Sequence, residues 1–425
     1  MTVTILFVAL PILLVMNVPI AVALGLSTGL AVLYLGLPLP LLVQRMVVSN
    51  DSFPLMAIPF FILAGSVMTH GGVSQRLVAF ADSLFGWMTG GLGIVAKLTG
   101  VFFSAISGSS AATTAAVGGV LFPEMEKRGY DRSFSAGIIA VAGETGIIIP
   151  PSVPLVVYGV IAGVSIGDLF LGGVTPGLLM GITLCFLIYH ISKKKGYGGG
   201  KFKGMRNIWT SFRGAAWGLA MPVIILGGIY GGIFTPTEAA VVAVAYGFFV
   251  GFFIYKDLKI SHLPEIFETT VISTAIVMFI MNAAGLFSWV ITREQFPNHL
   301  AAYFISLTRN PIIFLMLVNV LLLITGCFIN ASAAITILTP ILVPIVIQLG
   351  IDPIFFGVIM TTNLAIGCLT PPVGVDLFVA SSISGVSIAK MSRSILSFIV
   401  MLIVLQVIVT YFPSITMWLP NALKK

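Results

Sequence analysis

The sequence predicts an all-α polytopic membrane protein made of two inverted-topology repeats, each with a re-entrant helical hairpin and a helix broken at Pro-Pro. Three observations lead there. First, 58% of the 425 residues are hydrophobic and 8% are charged, against roughly 25% charged in soluble domains. The apolar stretches are continuous rather than alternating, which argues against a β-barrel. Second, one pattern occurs twice, offset by 221 or 222 residues. Ser110-Ala111-Ala112-Thr113-Thr114, Pro123, Gly129-Tyr130-Asp131, Pro150-Pro151 and Gly163-Val164-Ser165-Ile166 return as Ser332-Ala333-Ala334-Ile335-Thr336, Pro344, Gly350-Ile351-Asp352, Pro371-Pro372 and Gly385-Val386-Ser387-Ile388. Third, both copies set helix-breaking Gly, Ser and Pro in very apolar surroundings. Breaks at corresponding places of two repeats point to a transporter binding site.

In chain order, the first helix starts at Met1 and reaches a turn at Met16-Asn17-Val18-Pro19. It lacks a basic n-region and its apolar run continues past any cleavage site, so it reads as a retained helix. A second helix ends near Gly36, an external stretch follows, and a third helix runs from about Phe53 to His70. The first hairpin occupies about residues 90–126 and ends in the basic turn Glu126-Lys127-Arg128-Gly129-Tyr130-Asp131-Arg132. The positive-inside rule puts that turn in the cytoplasm. The first broken helix, about 132–162, must unwind at Pro150-Pro151, because proline lacks an amide donor and clashes with the preceding turn.

The gap from Lys193 to Arg213 is rich in Lys and Arg and holds no acid. Gly196 and Gly198-Gly199-Gly200 are expected to make it flexible, and its charge makes it cytoplasmic. Residues 193–212 therefore link a first repeat, 1–192, to a second, 213–425.

The second repeat opens with a helix of about Arg213–Gly232, a turn at Phe234-Thr235-Pro236-Thr237-Glu238 and a returning helix of about Ala239–Tyr255. Lys256 and Lys259 are cytoplasmic by charge. A third helix, about Leu263–Ile291, leads to a short mixed segment, His299–Leu307, expected to lie along the interface as an arm. The second hairpin, about 311–348, breaks between Thr325 and Ser332. Its arms of roughly 15 residues are short for tilted spans. Its turn, Gln348 to Asp352, has no basic residue, unlike the Lys127-Arg128 turn. Opposed orientations of the two repeats produce that asymmetry. The second broken helix, about 353–384, unwinds at Pro371-Pro372. Lys390 and Arg393 then fall inside, and Lys424-Lys425 on the external side.

Unwound backbone enclosed by protein presents carbonyl oxygens and helix ends, which suit hard cations and anionic groups respectively. In the first copy the candidates are Ser104, Ser107, Gly108, Ser109 and Ser110, facing Gly143 to Pro151. In the second they are Gly326 and Asn330 to Ser332, facing Ala365 to Val373. Oxygen donors without thiolate or imidazole favour Na⁺ over a transition metal. Close packing of small residues is the bland alternative, and the mirrored Pro-Pro partners weigh against it. Glu144 and Asp376 lie in apolar segments, where an ionisable residue is a functional candidate by default. Glu144 also reads as a proton-carrying or hydrogen-bonded packing residue. Asp376 would repel a carboxylate but accept hydrogen bonds from hydroxyls, which hints at a polyhydroxylated acid. The substrate-facing candidates are thus Ser109, Ser110, Glu144, Ser152, Asn330, Ser332 and Asp376.

Lys97, in an arm of the first hairpin, is expected to snorkel to the interface. His70, His190, His262 and His299 fall near helix ends without metal or catalytic spacing, and Cys185, Cys327 and Cys368 are isolated. Without a nucleophile–base arrangement or a phosphate loop, the chain does not read as an enzyme, and no cofactor is expected beyond a coupling ion. The net charge of +7 sits in loops beside a lipid bilayer, which removes the case for nucleic acid.

These residues resemble the large membrane subunit, the M-subunit, of the tripartite ATP-independent periplasmic (TRAP) transporters, over essentially the full length. The likeness rests on Ala57-Ile58-Pro59-Phe60-Phe61, Ser107-Gly108-Ser109-Ser110, Gly146-Ile147-Ile148-Ile149-Pro150-Pro151-Ser152, Phe234-Thr235-Pro236-Thr237-Glu238-Ala239 and Thr370-Pro371-Pro372-Val373-Gly374. The resemblance implies an elevator of the wider ion-transporter superfamily in the bacterial inner membrane, carrying an organic anion with Na⁺; a stand-alone anion or drug transporter of the same superfamily is the alternative. It also implies a small four-helix membrane subunit (Q-type) and a periplasmic substrate-binding protein (P-type) as partners. By resemblance one Na⁺ site maps to Ser104, Ser107, Gly146, Ile149 and Pro151, and the second to Gly326, Gly367, Thr370 and Val373. Three positions depart from the usual pattern: Ala111 where many relatives have Pro, Glu144 where a small neutral residue is common, and Asp376 where Asn is common. Asp376 tilts the expected cargo from a C4-dicarboxylate toward a sugar acid such as sialic acid.

Overall fold

The computed structural model describes residues 1–307 and 310–423, so Lys424-Lys425 lie outside the described residues. Their backbone is helical, with no strand among the described residues. The helices are α1 (Thr2–Val15), α2 (Ile20–Tyr34), α3 (Pro40–Ser49), α4 (Ala57–His70) and α5 (Val73–Phe85). Then come the pair α6 (Gly91–Ser107) and α7 (Ser110–Lys127), then α8 (Arg132–Gly143), α9 (Val153–Ala162) and the long α10 (Ile166–Lys195). The second half runs α11 (Met205–Tyr230), α12 (Pro236–Phe249), α13 (Leu263–Arg293), α14 (Phe296–Leu307), α15 (Pro311–Phe328), α16 (Ala331–Gln348), α17 (Pro353–Gly367), α18 (Val375–Ser384), α19 (Ile388–Tyr411) and α20 (Pro413–Leu423). Among the described residues, 8 helical segments are long and apolar enough to cross a membrane. The protein is a multi-pass membrane protein.

Local chemistry sets the helix starts. Ser109, Asp131, Ser152 and Ser165 cap α7, α8, α9 and α10 by accepting a backbone amide. Asn310, Asn330 and Asp352 do the same for α15, α16 and α17. A capped N-terminus satisfies a donor that the helix itself leaves unpaired. Thr235 and Glu238 form a reciprocal capping box at the turn into α12.

The halves are interleaved. α9, from the first half, packs on α16 and α17, while α18, from the second, packs on α7 and α8. The larger apolar core accordingly draws on both halves, and a smaller one joins α1, α2 and α13 to Ile337 and Ile341 of α16.

Three details differ from expectation. Both arms of the second pair have 18 residues, longer than the sequence reading assumed, so arm length does not separate a hairpin from two spans. Moreover α15 lies mainly on α17 and touches α16 little. The basic linker is pinned rather than loose. Tyr197 stacks on Tyr130 at 4.3 Å, its hydroxyl accepts the Asp131 amide at 3.0 Å, and its carbonyl accepts the Gly90 amide at 3.1 Å. The Gly200 amide donates to the Gly86 carbonyl at 2.8 Å. The glycines serve close backbone approach: a Cβ at Gly199 would run into the Trp87 and Met88 carbonyls.

Candidate functional site

The first tip lies between α6 and α7. Gly108 takes a left-handed conformation (φ 64) that ends α6, and Ser109 returns to extended backbone and caps α7. Opposite it, α8 gives way to a 3-10 turn over Glu144–Ile147 and the cis bond of Pro150-Pro151. The two are tied directly: the Val153 amide donates to the Gly108 carbonyl at 3.2 Å. Gly146 fits because it has no side chain, since a Cβ there would stand 2.5 Å from the Ser109 carbonyl oxygen. Ser104 Oγ reaches Gly100 O at 2.6 Å and Thr145 Oγ1 at 3.1 Å, and Ser107 Oγ shares a hydrogen bond with Thr113 Oγ1 at 2.9 Å. Ser104, Ser107 and Gly146 are thus brought together. Pro151 closes on Gly108, and the buried Ile149 side chain packs against Gly177 of α10.

The second tip repeats this logic. α15 ends at Phe328, Asn330 caps α16, and its Oδ1 accepts the Ser332 amide at 2.9 Å. Gly326 and Gly367 cross with backbones in contact: a Cβ on Gly326 would lie 2.9 Å from Gly367 Cα. The Gly374 amide, two residues past the cis Pro371-Pro372 bond as Val153 is past Pro151, donates to the Cys327 carbonyl at 3.3 Å. Thr370 Oγ1 donates to Ile366 O at 2.8 Å, and Val373 is partly exposed on the same turn.

Both tips border one cavity of about 490 Å³, walled also by α4 and α13. Of the substrate-facing candidates, Ser109, Ser110, Asn330 and Ser332 line it, as does Ser107. Glu144, Ser152 and Asp376 do not; each is fully buried behind the wall. Ser152 donates to Ile147 O at 2.6 Å and caps α9. Glu144 pairs with Lys97, which corrects the expectation that Lys97 snorkels. Lys97 is 0% exposed and donates from Nζ to Glu144 Oε2 and, at 2.9 Å, to Val141 O. A partner inside the core holds the ammonium there.

Sequence reasoning missed the opposite wall: Ser66, Thr69 and His70 on α4, and Thr269 and Ser273 on α13. The signal was present as polar residues three or four apart on otherwise apolar helices, the spacing of one helix face. His70 Nδ1 lies 2.9 Å from Ser66 O, with Glu265 Oε1 3.8 Å from Nε2. Among the described residues the wall carries no acidic side chain, and the N-termini of α7 and α16 both open onto it. Helix N-termini favour anions through their free amides and dipole.

Residues 7–415 match the family described as Tripartite ATP-independent periplasmic transporter, DctM component. The chain belongs to this family. It is a TRAP large permease, a transport protein rather than an enzyme. It is 46% identical over 407 residues to the isethionate TRAP transporter permease protein DctMQ of Oleidesulfovibrio alaskensis, covering 95% of this chain and 64% of that one. This permease therefore spans under two thirds of that relative's length. It is 45% identical over 373 residues to the C4-dicarboxylate TRAP transporter large permease protein DctM of Pseudomonas aeruginosa, covering 88% and 87% of the two chains. To the sialic acid TRAP transporter large permease protein SiaM of Vibrio cholerae it is 41% identical over 378 residues, covering 89% and 88%. In fold, the permease is similar to the YdaH transporter of Alcanivorax borkumensis, with a TM-score of 0.65 at 16% identity over 88% of this chain and 89% of that one.

Proposed function

We propose that this permease imports a small organic anion across the bacterial inner membrane, driven by Na⁺ and supplied by a periplasmic binding protein. The observation that carries the reading is the meeting of two capped helix N-termini, at Ser109-Ser110 and Asn330-Ala331, on one cavity without acidic side chains. Such ends suit an anionic group such as a carboxylate or a sulfonate, and the similar proteins are named for C4-dicarboxylate, sialic acid and isethionate transport. Because Asp376 stands behind the wall, the reason for preferring a sugar acid falls away.

Na⁺ is the coupling ion in this reading, and no other cofactor takes part. Hydroxyl and carbonyl oxygens beside each tip suit it: Ser104, Ser107, Gly146, Ile149 and Pro151 on one side, Gly326, Gly367, Thr370 and Val373 on the other. The two halves, 1–192 and 213–425, act as inverted repeats, and the tips with their broken helices slide together as an elevator. A small four-helix membrane subunit packs on the remaining helices.

The test is uptake into liposomes holding this permease and the small subunit, with candidate binding proteins and labelled isethionate, succinate or sialic acid outside. Uptake is expected only with a Na⁺ gradient and a binding protein, and Ser107→Ala and Thr370→Ala should each weaken the Na⁺ response more than expression. Transport that ignores the Na⁺ gradient would sink the coupling.

A further inference from the structure

Where α18 packs against α7 and α8, four buried oxygens have no hydrogen-bond partner among the described residues: both carboxylate oxygens of Asp376, Oε1 of Glu144 and the hydroxyl of Thr114. All three residues are 0% exposed. Asp376, on the first turn of α18, has Ser110 as its polar neighbour and feels the charges of Glu144 and Lys97. Ser110 and Thr114 are one turn apart on α7 and turn the same face to Gly143, where a Cβ would touch the Thr114 hydroxyl and stand 2.9 Å from the Ser110 carbonyl. Gly143 immediately precedes Glu144. Two carboxylates and two hydroxyls are therefore gathered at one junction.

The charges there do not balance. Lys97 is already committed to Glu144 and the Val141 carbonyl, which leaves the Asp376 carboxylate unmatched. A buried charge without partner is strongly unfavourable, and buried polar atoms without partners in a native protein call for an ion or water. Water supplies hydrogen bonds but no neutralising charge. The donors are hard oxygens, which select Na⁺-like cations, and among the described residues no three His, Cys, Asp or Glu side chains converge as a divalent or transition metal would require.

We propose that Asp376, Ser110, Thr114 and Oε1 of Glu144 form a further site for a monovalent cation, Na⁺, separate from the two sites beside the tips. The choice of ion rests on the Na⁺-coupled reading above. Ser110 gives the site its meaning for transport, because it lines the cargo cavity and is also the neighbour of Asp376. A cation there stiffens the start of α7 where an anion binds, and its charge favours that anion.

Equilibrium binding of ²²Na⁺ to the full-length permease in nanodiscs tests this, with Asp376→Asn and Thr114→Val beside Ser107→Ala and Thr370→Ala. Asp376→Asn and Thr114→Val should each bind one ion per chain fewer than the parent protein. If the parent binds no Na⁺, the coupled reading itself fails. If Asp376→Asn and Thr114→Val bind as many ions as the parent while the tip variants lose theirs, this inference fails and the coupled reading stands. An unchanged ion count in Asp376→Asn together with loss of a pH dependence of uptake would assign the balancing charge to a proton and overturn the site. Should Asp376→Asn not purify as a single species, Thr114→Val decides, since it removes only a hydroxyl at constant volume.

Discussion

Gly146 shows how little room the tip leaves. A methyl group there meets the Ser109 carbonyl oxygen at 2.5 Å and the Ser110 Cα at 2.7 Å, both backbone atoms that cannot swing aside. Gly146→Ala is therefore expected to destabilise the permease by roughly 1–3 kcal/mol through overpacking and to blunt the Na⁺ dependence of uptake. Gly119→Ala, inside α7 where nothing lies within 4 Å, should not lower the melting temperature, since alanine is the better helix former, and should leave uptake unchanged. Lys97 supplies a second prediction. Removing one member of a buried ion pair leaves the other charge stranded, at a cost of roughly 3–5 kcal/mol, whereas replacing both by apolar groups is often close to neutral. Lys97→Met should thus melt well below the parent in nanodiscs, and Lys97→Met combined with Glu144→Leu should recover most of the loss. A double variant no more stable than the single one would show that the pair is not what holds this junction.

At the level of elements, the linker separates what composition shows from what contacts decide. Its lysines and glycines read as a loose cytoplasmic strand, but Tyr197 clamps it against the Tyr130–Asp131 turn and the Gly90 amide. Tyr197→Ala should expose the stretch from Lys193 to Arg213 to trypsin at concentrations that leave the parent intact. Equal cleavage of both proteins would mean that the clamp contributes little. The same contrast governs legibility elsewhere. Helix positions and the unwinding at both Pro-Pro pairs were readable, because proline and glycine act within a few positions along the chain. Lys97 with Glu144, 47 residues apart, was not, and neither was the buried amide network in which Asn319 Oδ1 accepts from Asn363 at 2.6 Å and from Gln406 at 3.2 Å. Such pairs depend on how helices cross, which one chain's local pattern does not encode. The tips were found because their breaks are local. The α4 and α13 wall was missed because its serines and threonines break nothing.

Across the whole molecule, the interleaving of the halves bears on what can move. α9 lies on α16 and α17, α18 on α7 and α8, and α19 on α8 and α17. Sliding one tip past the other would tear apart the larger core, which draws its buried residues from both halves. The elevator proposed above therefore requires both tips, both broken helices and α19 to travel as one body. Ser133 on α8 and Ser394 on α19 allow a direct test, since Ser394 Oγ donates to the Ser133 carbonyl at 2.9 Å. Cysteines at both positions put two thiols on touching turns of α8 and α19, where oxidation can be used to join them. Under oxidising conditions the double variant should cross-link and still take up cargo at the rate of its reduced form, because the bond joins parts that do not move relative to each other. Uptake lost on oxidation and restored by reductant would instead place a sliding surface between α8 and α19, and the single moving body would have to be abandoned.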